Sequence, residues 1–181
     1  MIFWYTARNK FNETITEGFS WQKYIEWSKL LHLKELISLD SSLCDLAFEI
    51  DYEEEKLYDY LITDESSSTA MFNNLDFVIS RVKNKSNVNL LTVVKEPNEE
   101  CKFISLANFT FIGYDLIDQS YDNSALSNCG GFDETFLPQD LNEFGLISNF
   151  QKAISIQQNL IANNPEERHA DCNLFAIWRH I

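Results

Sequence analysis

The chain has 181 residues, of which 45% are hydrophobic and 14% aromatic, and its formal net charge is −14. This apolar content excludes an intrinsically disordered chain, because apolar burial can offset the conformational entropy lost on folding. No apolar run is long enough to span a membrane, and residues 1–10 lack the features of a secretory signal. We therefore expect a single domain over residues 1–181, in the cytoplasm, with no membrane contact.

The N-terminal part of the chain predicts a strand, a loop and a helix. Residues 2–8 are β-branched and aromatic, as strand residues are, and residues 11–19 predict a loop. Ser20 is a candidate N-cap for a helix whose apolar side chains recur at helical spacing, namely Trp21, Tyr24, Ile25, Trp27, Leu30 and Leu31. Residues 33–50 alternate like strand residues on both sides of a turn at residues 40–42, so two short strands are expected there.

The middle of the chain predicts one helix and three strands. Residues 53–62 begin with acids, which the first turn of a helix favours. Residues 75–82 and 88–95 are apolar and β-branched, and the polar residues between them predict a hairpin. Residues 109–117 predict a further strand.

The C-terminal part predicts two helices and a last strand. Pro138 opens a short helix over residues 139–144, and Asn149 caps an amphipathic helix that runs to about Ala162. Residues 172–178 are apolar enough for a strand in the centre of a sheet. The whole pattern predicts an α+β fold, with a largely antiparallel sheet packed by helices near the N- and C-terminal parts of the chain.

The negative charge is concentrated in two segments. Residues 40–65 contain ten acids and one base, and residues 103–151 contain seven acids and neither Lys nor Arg. Clustered carboxylates repel one another, so a chain that keeps them together can use the resulting field to steer a basic partner. The alternative is a structural or regulatory subunit whose acidity serves only its solubility.

The predicted contact surface follows these two segments. Tyrosines are interleaved with carboxylates over residues 51–60, and such a surface binds Arg and Lys through charge-assisted hydrogen bonds and cation–π contacts. The predicted partner-binding residues are Asp51, Tyr52, Glu53, Glu54, Glu55, Tyr58, Asp59 and Tyr60, with Asp115, Asp118, Asp122, Asp133 and Glu134 as a second patch. The only basic cluster, Arg81, Lys83 and Lys85, is too small for us to expect direct binding of nucleic acid.

The sequence lacks the motifs for phosphate, dinucleotide, serine-hydrolase, zinc-protease and calcium chemistry. Cys129 precedes two glycines, which would let a backbone amide approach an oxyanion, and His169 with Asp171 or His180 could serve as base and orienting group. A thiol-dependent hydrolase or transferase is therefore an alternative to a binding protein. The four cysteines have no zinc-site spacing and are expected to be buried free thiols, so we predict no metal site. Because the catalytic and cofactor-binding motifs are missing, we also predict no cofactor and a non-enzymatic protein.

Four stretches of the C-terminal third resemble small uncharacterised bacterial proteins. They are residues 128–132 (NCGGF), 140–147 (DLNEFGLI), 169–172 (HADC) and 176–179 (AIWR). Some of those proteins resemble immunity proteins of polymorphic toxin systems. The resemblance implies an inhibitory binding role, in which an acidic protein occludes the basic cleft of a toxin such as a nuclease.

Overall fold

A computed structural model describes residues 1–16, 18–45, 70–127 and 135–181 of the protein. These residues form four strands and three α-helices: β1 (Trp4–Asn9), α1 (Gly18–Ser28), α2 (Leu75–Val82), β2 (Val88–Lys95), β3 (Phe109–Asp118), α3 (Phe150–Asn163) and β4 (Cys172–His180). None of the helices in these ranges is both long and apolar enough to cross a bilayer. The helix predicted over residues 53–62 lies outside the described residues.

The four strands form one sheet in the order β1-β2-β4-β3, and every neighbouring pair is antiparallel. This arrangement confirms the α+β fold with an antiparallel sheet. It also confirms the central position predicted for the last strand, because β4 lies between β2 and β3 and is buried from Cys172 to Trp178.

The two faces of the sheet are covered in different ways, because successive strand residues point to opposite faces. On one face, α3 packs on β3 and β4, and α2 packs on β1. On the other face, Leu91, Val93 and Ile177 are buried against an irregular segment that contains Ile37 and Leu39. The sheet therefore has a hydrophobic core on each face, one under the helices and one under the irregular segment.

Short contacts cover the outer edges of the sheet. Tyr5 of β1 exchanges two backbone hydrogen bonds with Phe72, at 2.7 and 2.9 Å. Tyr114 of β3 does the same with Ile147, at 2.8 and 3.0 Å. Exposed edge strands are templates for pairing with another chain, so these contacts reduce the edge available to a partner.

Two predictions of local structure are wrong. Residues 75–82 form helix α2 instead of the first strand of a hairpin, because the Asn74 side chain accepts a hydrogen bond from the Phe77 backbone N–H and starts a helix. Of the two strands predicted over residues 33–50, the first is absent, because residues 33–45 contain no strand, although Leu36 and Cys44 each make a single bridge to another segment. Residues 46–50, which carry the second predicted strand, lie outside the described residues. Within residues 33–45 the alternating apolar side chains are buried without a continuous ladder of backbone hydrogen bonds.

The strands predicted at residues 2–8, 88–95, 109–117 and 172–178 and the helices predicted after residues 20 and 149 are confirmed with shifted ends. Helix α1 begins at Gly18, so Ser20 lies inside it and is not its N-cap. The Asn149 side chain caps α3 by accepting from the Lys152 N–H at 3.0 Å, as expected. The short helix predicted from Pro138 is a single 3-10 turn over Pro138–Asp140. Cys101 and Cys172 are free and buried, Cys44 is free and half-buried, and Cys129 lies outside the described residues.

Candidate functional site

Several charged side chains are buried in the interior of the protein, and Asp115 is at the centre of one hydrogen-bond network. Asp115 lies on β3 and is fully buried. Its carboxylate accepts four hydrogen bonds, from Ser38 Oγ (2.8 Å), Leu39 N (2.8 Å), Leu116 N (2.9 Å) and Ser124 Oγ (2.6 Å). Burial raises the pKa of Asp115, while these hydrogen bonds act in the opposite direction. The carboxylate is therefore a junction between β3 and two loops.

Arg8 is a buried cation in the same part of the core. It lies on β1 with no exposed surface, and its guanidinium donates to Thr6 Oγ1 at 2.5 Å and to the Leu39 carbonyl at 3.3 Å. Burial lowers the pKa of Arg8, and the neighbouring acidic groups of Cys44, Asp40 and Asp115 raise it. A buried cation is tolerated where anions and carbonyl groups surround it and offset its loss of hydration.

Asp40 links the same two loops from the side. Its Oδ1 accepts from Ser42 N at 3.0 Å, and its Oδ2 accepts from Ser124 N at 2.9 Å and from Ser127 Oγ at 3.1 Å. The side chain is buried. Asp40 and Asp115 thus hold residues 38–42 and 124–127 together, which is a structural role.

A second arrangement of charged groups lies at the C-terminal end of β3. Asp118 is buried, and its Oδ2 lies 2.6 Å from Nδ1 of His169, whose side chain is 45% exposed. The same carboxylate accepts from Ser120 Oγ, Asp122 N and Asn123 Nδ2 at 2.9 to 3.1 Å. Burial alone would raise the pKa of Asp118, but the hydrogen bonds from Asn123, His169, Asp122 and Ser120 outweigh it and lower the pKa.

The group that orients His169 is Asp118, not either of the residues considered from the sequence. Asp171 is exposed and accepts a hydrogen bond from Gln119 Nε2 at 3.1 Å. His180 lies at the other end of β4, where its ring packs against Phe109 with centroids 5.1 Å apart. Asp118 precedes His169 by 51 residues, and β-sheet pairing brings them together through strands β3 and β4.

Cys172 lies close to this pair but is not in a nucleophilic state. Its thiol donates to the His169 carbonyl at 3.2 Å and is only 4% exposed. Burial first, and then the charges of Asp118, Asp115 and Asp171, raise the pKa of Cys172 to about 12. A thiol with such a pKa stays protonated at neutral pH, so Cys172 is a packing residue.

The predicted partner-binding residues divide into three groups. Residues 51–60, Asp133 and Glu134 lie outside the described residues. Asp122 is half-buried. Asp115 and Asp118 are buried and engaged in internal hydrogen bonds, because both side chains point into the protein from β3. We therefore leave Asp115 and Asp118 out of the contact surface.

Burial changes the distribution of the surface charge. The described residues include seventeen acids and thirteen bases, of which four acids (Asp40, Asp45, Asp115 and Asp118) and one base (Arg8) are buried. Thirteen acids and twelve bases remain at the described surface, which is therefore nearly neutral. Residues 46–69 alone carry eight acids and one base. The negative excess of the protein lies mainly in that segment and in the core.

Neither a search for metal-binding side chains nor comparison with known proteins indicates a further site. Within the four described ranges, no three His, Cys, Asp or Glu side chains are grouped closely enough to hold a metal ion. No protein-family model, no curated protein and no solved structure matches the chain.

Sequence reasoning missed the Asp118–His169 pair for an identifiable reason. The residues are far apart in the chain, and neither belongs to a motif of fixed spacing. A weak signal was present, because the run Asp118, Ser120 and Asn123 supplies a carboxylate with polar side chains in a tight loop. That signal indicates a structured loop, but it does not identify the histidine.

Proposed function

We propose that the protein acts by binding a basic protein partner, and that this partner is a toxin domain, such as a nuclease, whose basic cleft it occludes. The observation that carries the proposal is the uneven charge: a nearly neutral described surface, with eight acids and one base in residues 46–69. A concentrated field of one sign speeds the encounter with a partner of the opposite sign. The resemblance of the C-terminal third to immunity proteins supports the same role.

Residues 46–69 form the acidic segment, and the residues on both sides of it contact the sheet. Cys44 makes a bridge to Arg8 of β1, and Asp45 forms an ion pair with Lys85. At the other end, the Ala70 carbonyl accepts a hydrogen bond from Thr6 Oγ1 of β1 at 2.8 Å. The described residues that flank the acidic segment, Cys44 and Ala70, therefore both contact β1.

The composition of the acidic segment suits a protein partner better than a simple cation. Tyr52, Tyr58 and Tyr60 accompany the carboxylates of residues 51–60. Tyrosine contributes a large contact area with few rotatable bonds and can stack on the guanidinium of an arginine. We therefore propose residues 51–60 as the main contact, with Asp122, Asp133 and Glu134 as a smaller second patch.

The proposal is tested by capture of partners from the native host at low salt, followed by a salt step and measurement of affinity for the protein released. The variant Glu53→Lys, Glu54→Lys, Glu55→Lys should weaken binding at least about tenfold and flatten its dependence on salt. A matched control reverses three exposed acids elsewhere, Glu26, Glu100 and Glu166, and should bind like the wild type. Equal losses in both variants, or none in the first, would overturn the proposal.

The two alternatives predict different results in the same experiment. If the acidity serves solubility alone, no stoichiometric basic partner should be released by salt. If the protein is a thiol-dependent hydrolase, Cys129→Ala should remove activity while the fold and any binding are retained, and the Cys129 thiol should alkylate faster than those of buried Cys101 and Cys172.

A further inference from the structure

Two polar side-chain atoms are buried at the centre of the sheet without a hydrogen-bond partner in the described part of the chain. They are Thr92 Oγ1 on β2 and Trp178 Nε1 on β4, and both residues are only 1% exposed. Most buried polar atoms of folded proteins are hydrogen-bonded, because a bond left unmade costs the hydration that the group has lost. The two atoms therefore call for an explanation.

The register of the sheet places these two side chains next to each other. Thr92 is paired directly with Trp178, and directly paired residues lie on the same face with their Cβ atoms about 4.5 to 5.5 Å apart. The same row continues to Tyr5 of β1 and Phe111 of β3. This is the helix side of the sheet, because Tyr5 packs in the core of α2 and Trp178 in the core of α3.

The surroundings of the pair are largely aromatic. Phe3 and Phe111 pack edge-on against the indole of Trp178, with ring centroids 6.1 and 5.3 Å away. The hydroxyl oxygen of Tyr114 is a third buried atom that has no partner among the described residues. Tyr114 is paired with Ala176, so it lies one row away on the same face. The helix side of the core thus contains polar atoms in an otherwise apolar environment.

We propose that an internal water molecule bridges Thr92 and Trp178. The water oxygen accepts the indole N–H of Trp178, and the water shares a second hydrogen bond with the Thr92 hydroxyl, which can both donate and accept. Folded proteins contain on the order of one buried water per 27 residues, typically beside polar groups that lack other partners. The bridge joins β2 to β4 through their side chains, beside the backbone hydrogen bonds of the same pair of strands. It is independent of the proposed binding function, because both residues lie outside the acidic segment.

The first test counts the internal water molecules of the full-length protein by oxygen-17 relaxation dispersion of the solvent. Thr92→Val keeps the shape of the side chain and replaces the hydroxyl with a methyl group, so the count should fall by about one. Thr110→Val is the matched control, because Thr110 is exposed on β3, and it should leave the count unchanged. An unchanged count in Thr92→Val, or an equal fall in both variants, would overturn the proposal.

The indole proton of Trp178 provides a second test that needs no variant and therefore does not depend on whether Thr92→Val folds. In the wild type this proton should show a nuclear Overhauser effect with a long-lived water molecule. The competing arrangement is an N–H directed at the face of the Phe3 or Phe111 ring, which is a weak hydrogen bond. An indole proton shifted upfield by a ring current and without a signal from water would establish that arrangement and contradict the water bridge.

Discussion

At the residue scale, Asp115 and Asp118 lie three positions apart on the same strand and have opposite pKa shifts. The odd spacing places the two side chains on opposite faces of the sheet. Burial dominates at Asp115 and raises its pKa, while the four hydrogen-bond partners of Asp118 overcome burial and lower its pKa. Residue type alone therefore does not predict the electrostatic role of a strand carboxylate, because the loops that pack over it decide the outcome.

The lowered pKa of Asp118 predicts how stability depends on pH. A carboxyl group whose pKa is lower in the folded state stabilises the protein above its unfolded pKa of about 3.9, and this stabilisation is lost as the pH falls through the folded value. Asp118→Asn should therefore cost about 2 kcal/mol of unfolding free energy at pH 7 and less at pH 3. Urea unfolding at both pH values measures the difference.

Asp171 provides the matched comparison for this measurement. It is exposed and accepts one hydrogen bond, from Gln119. Asp171→Asn should cost less than about 1 kcal/mol at pH 7, as exposed polar contacts do. A cost for Asp118→Asn that stayed constant between pH 7 and pH 3 would contradict the assignment of an ionised Asp118.

At the element scale, the strands were predictable wherever local sequence and tertiary contacts agree. Residues 109–117 and 172–178 are rich in aliphatic and aromatic residues, and both form long strands that are largely buried. Residues 75–82 are also rich in aliphatic residues, but they form a helix. The Asn74 side chain caps it, and the buried side chains of Phe77, Val78 and Val82 lie on one face of it. The apolar residues alone fit both structures, and the cap was the signal that distinguished them.

The candidate site was less predictable than the fold, for a reason that also belongs to this scale. His169 was identified from the sequence as a candidate base, but its partner Asp118 comes from β3, and the pairing depends on the register of β3 with β4. Strand register is set by packing of side chains from distant parts of the chain. Without a motif of fixed spacing, the sequence therefore indicates the histidine but not the carboxylate that orients it.

Gly113 is the residue on which the irregular geometry of β3 depends. The pairing of β3 with β4 shifts register between Phe111 and Gly113, and Gly113 has φ of +146°. A Cβ at this position would lie 2.7 Å from the Cβ of Leu146 and 3.1 Å from the Ile147 carbonyl oxygen. Gly113→Ala should thus lower the unfolding free energy by about 3 kcal/mol, through backbone strain and overpacking, as measured by urea unfolding.

Gly145 is the control for this prediction. It also has a positive φ, of +76°, but the nearest atom to an added Cβ would be Leu36 Cδ1, at the end of a flexible side chain. Gly145→Ala should therefore cost only about 1 kcal/mol. If the two substitutions were equally costly, the contact with Leu146 would not be the cause of the loss at Gly113.

At the scale of the whole molecule, charge and structure are separated along the chain. The buried acids Asp40, Asp115 and Asp118 hold the sheet and its loops together. Most of the remaining negative excess lies in residues 46–69, between two attachments to β1. Mutations of the first group should act on stability, whereas the proposed function assigns the second group to binding.

The order of the strands makes the whole fold depend on the last one. Among the described strands, β3 pairs with β4 alone and β2 pairs with β1 and β4, so removal of β4 would leave the pair β1-β2 and a β3 with no strand partner in the described part of the chain. The buried side chains of Leu174, Phe175, Ile177 and Trp178 contribute about 1.5 to 3 kcal/mol each. Their sum is comparable to the total stability of a typical domain, about 5 to 15 kcal/mol.

Deletion of residues 172–181 should accordingly abolish the folded state, whereas deletion of Ile181 alone, which is 86% exposed, should not. A two-stranded sheet is at best marginally stable, so the longer deletion leaves too little structure to support the helices. Near-ultraviolet circular dichroism and size-exclusion chromatography would then show loss of fixed aromatic packing and an expanded chain. Native spectra after the longer deletion would mean that β1, β2 and the helices form a stable unit without the central strand.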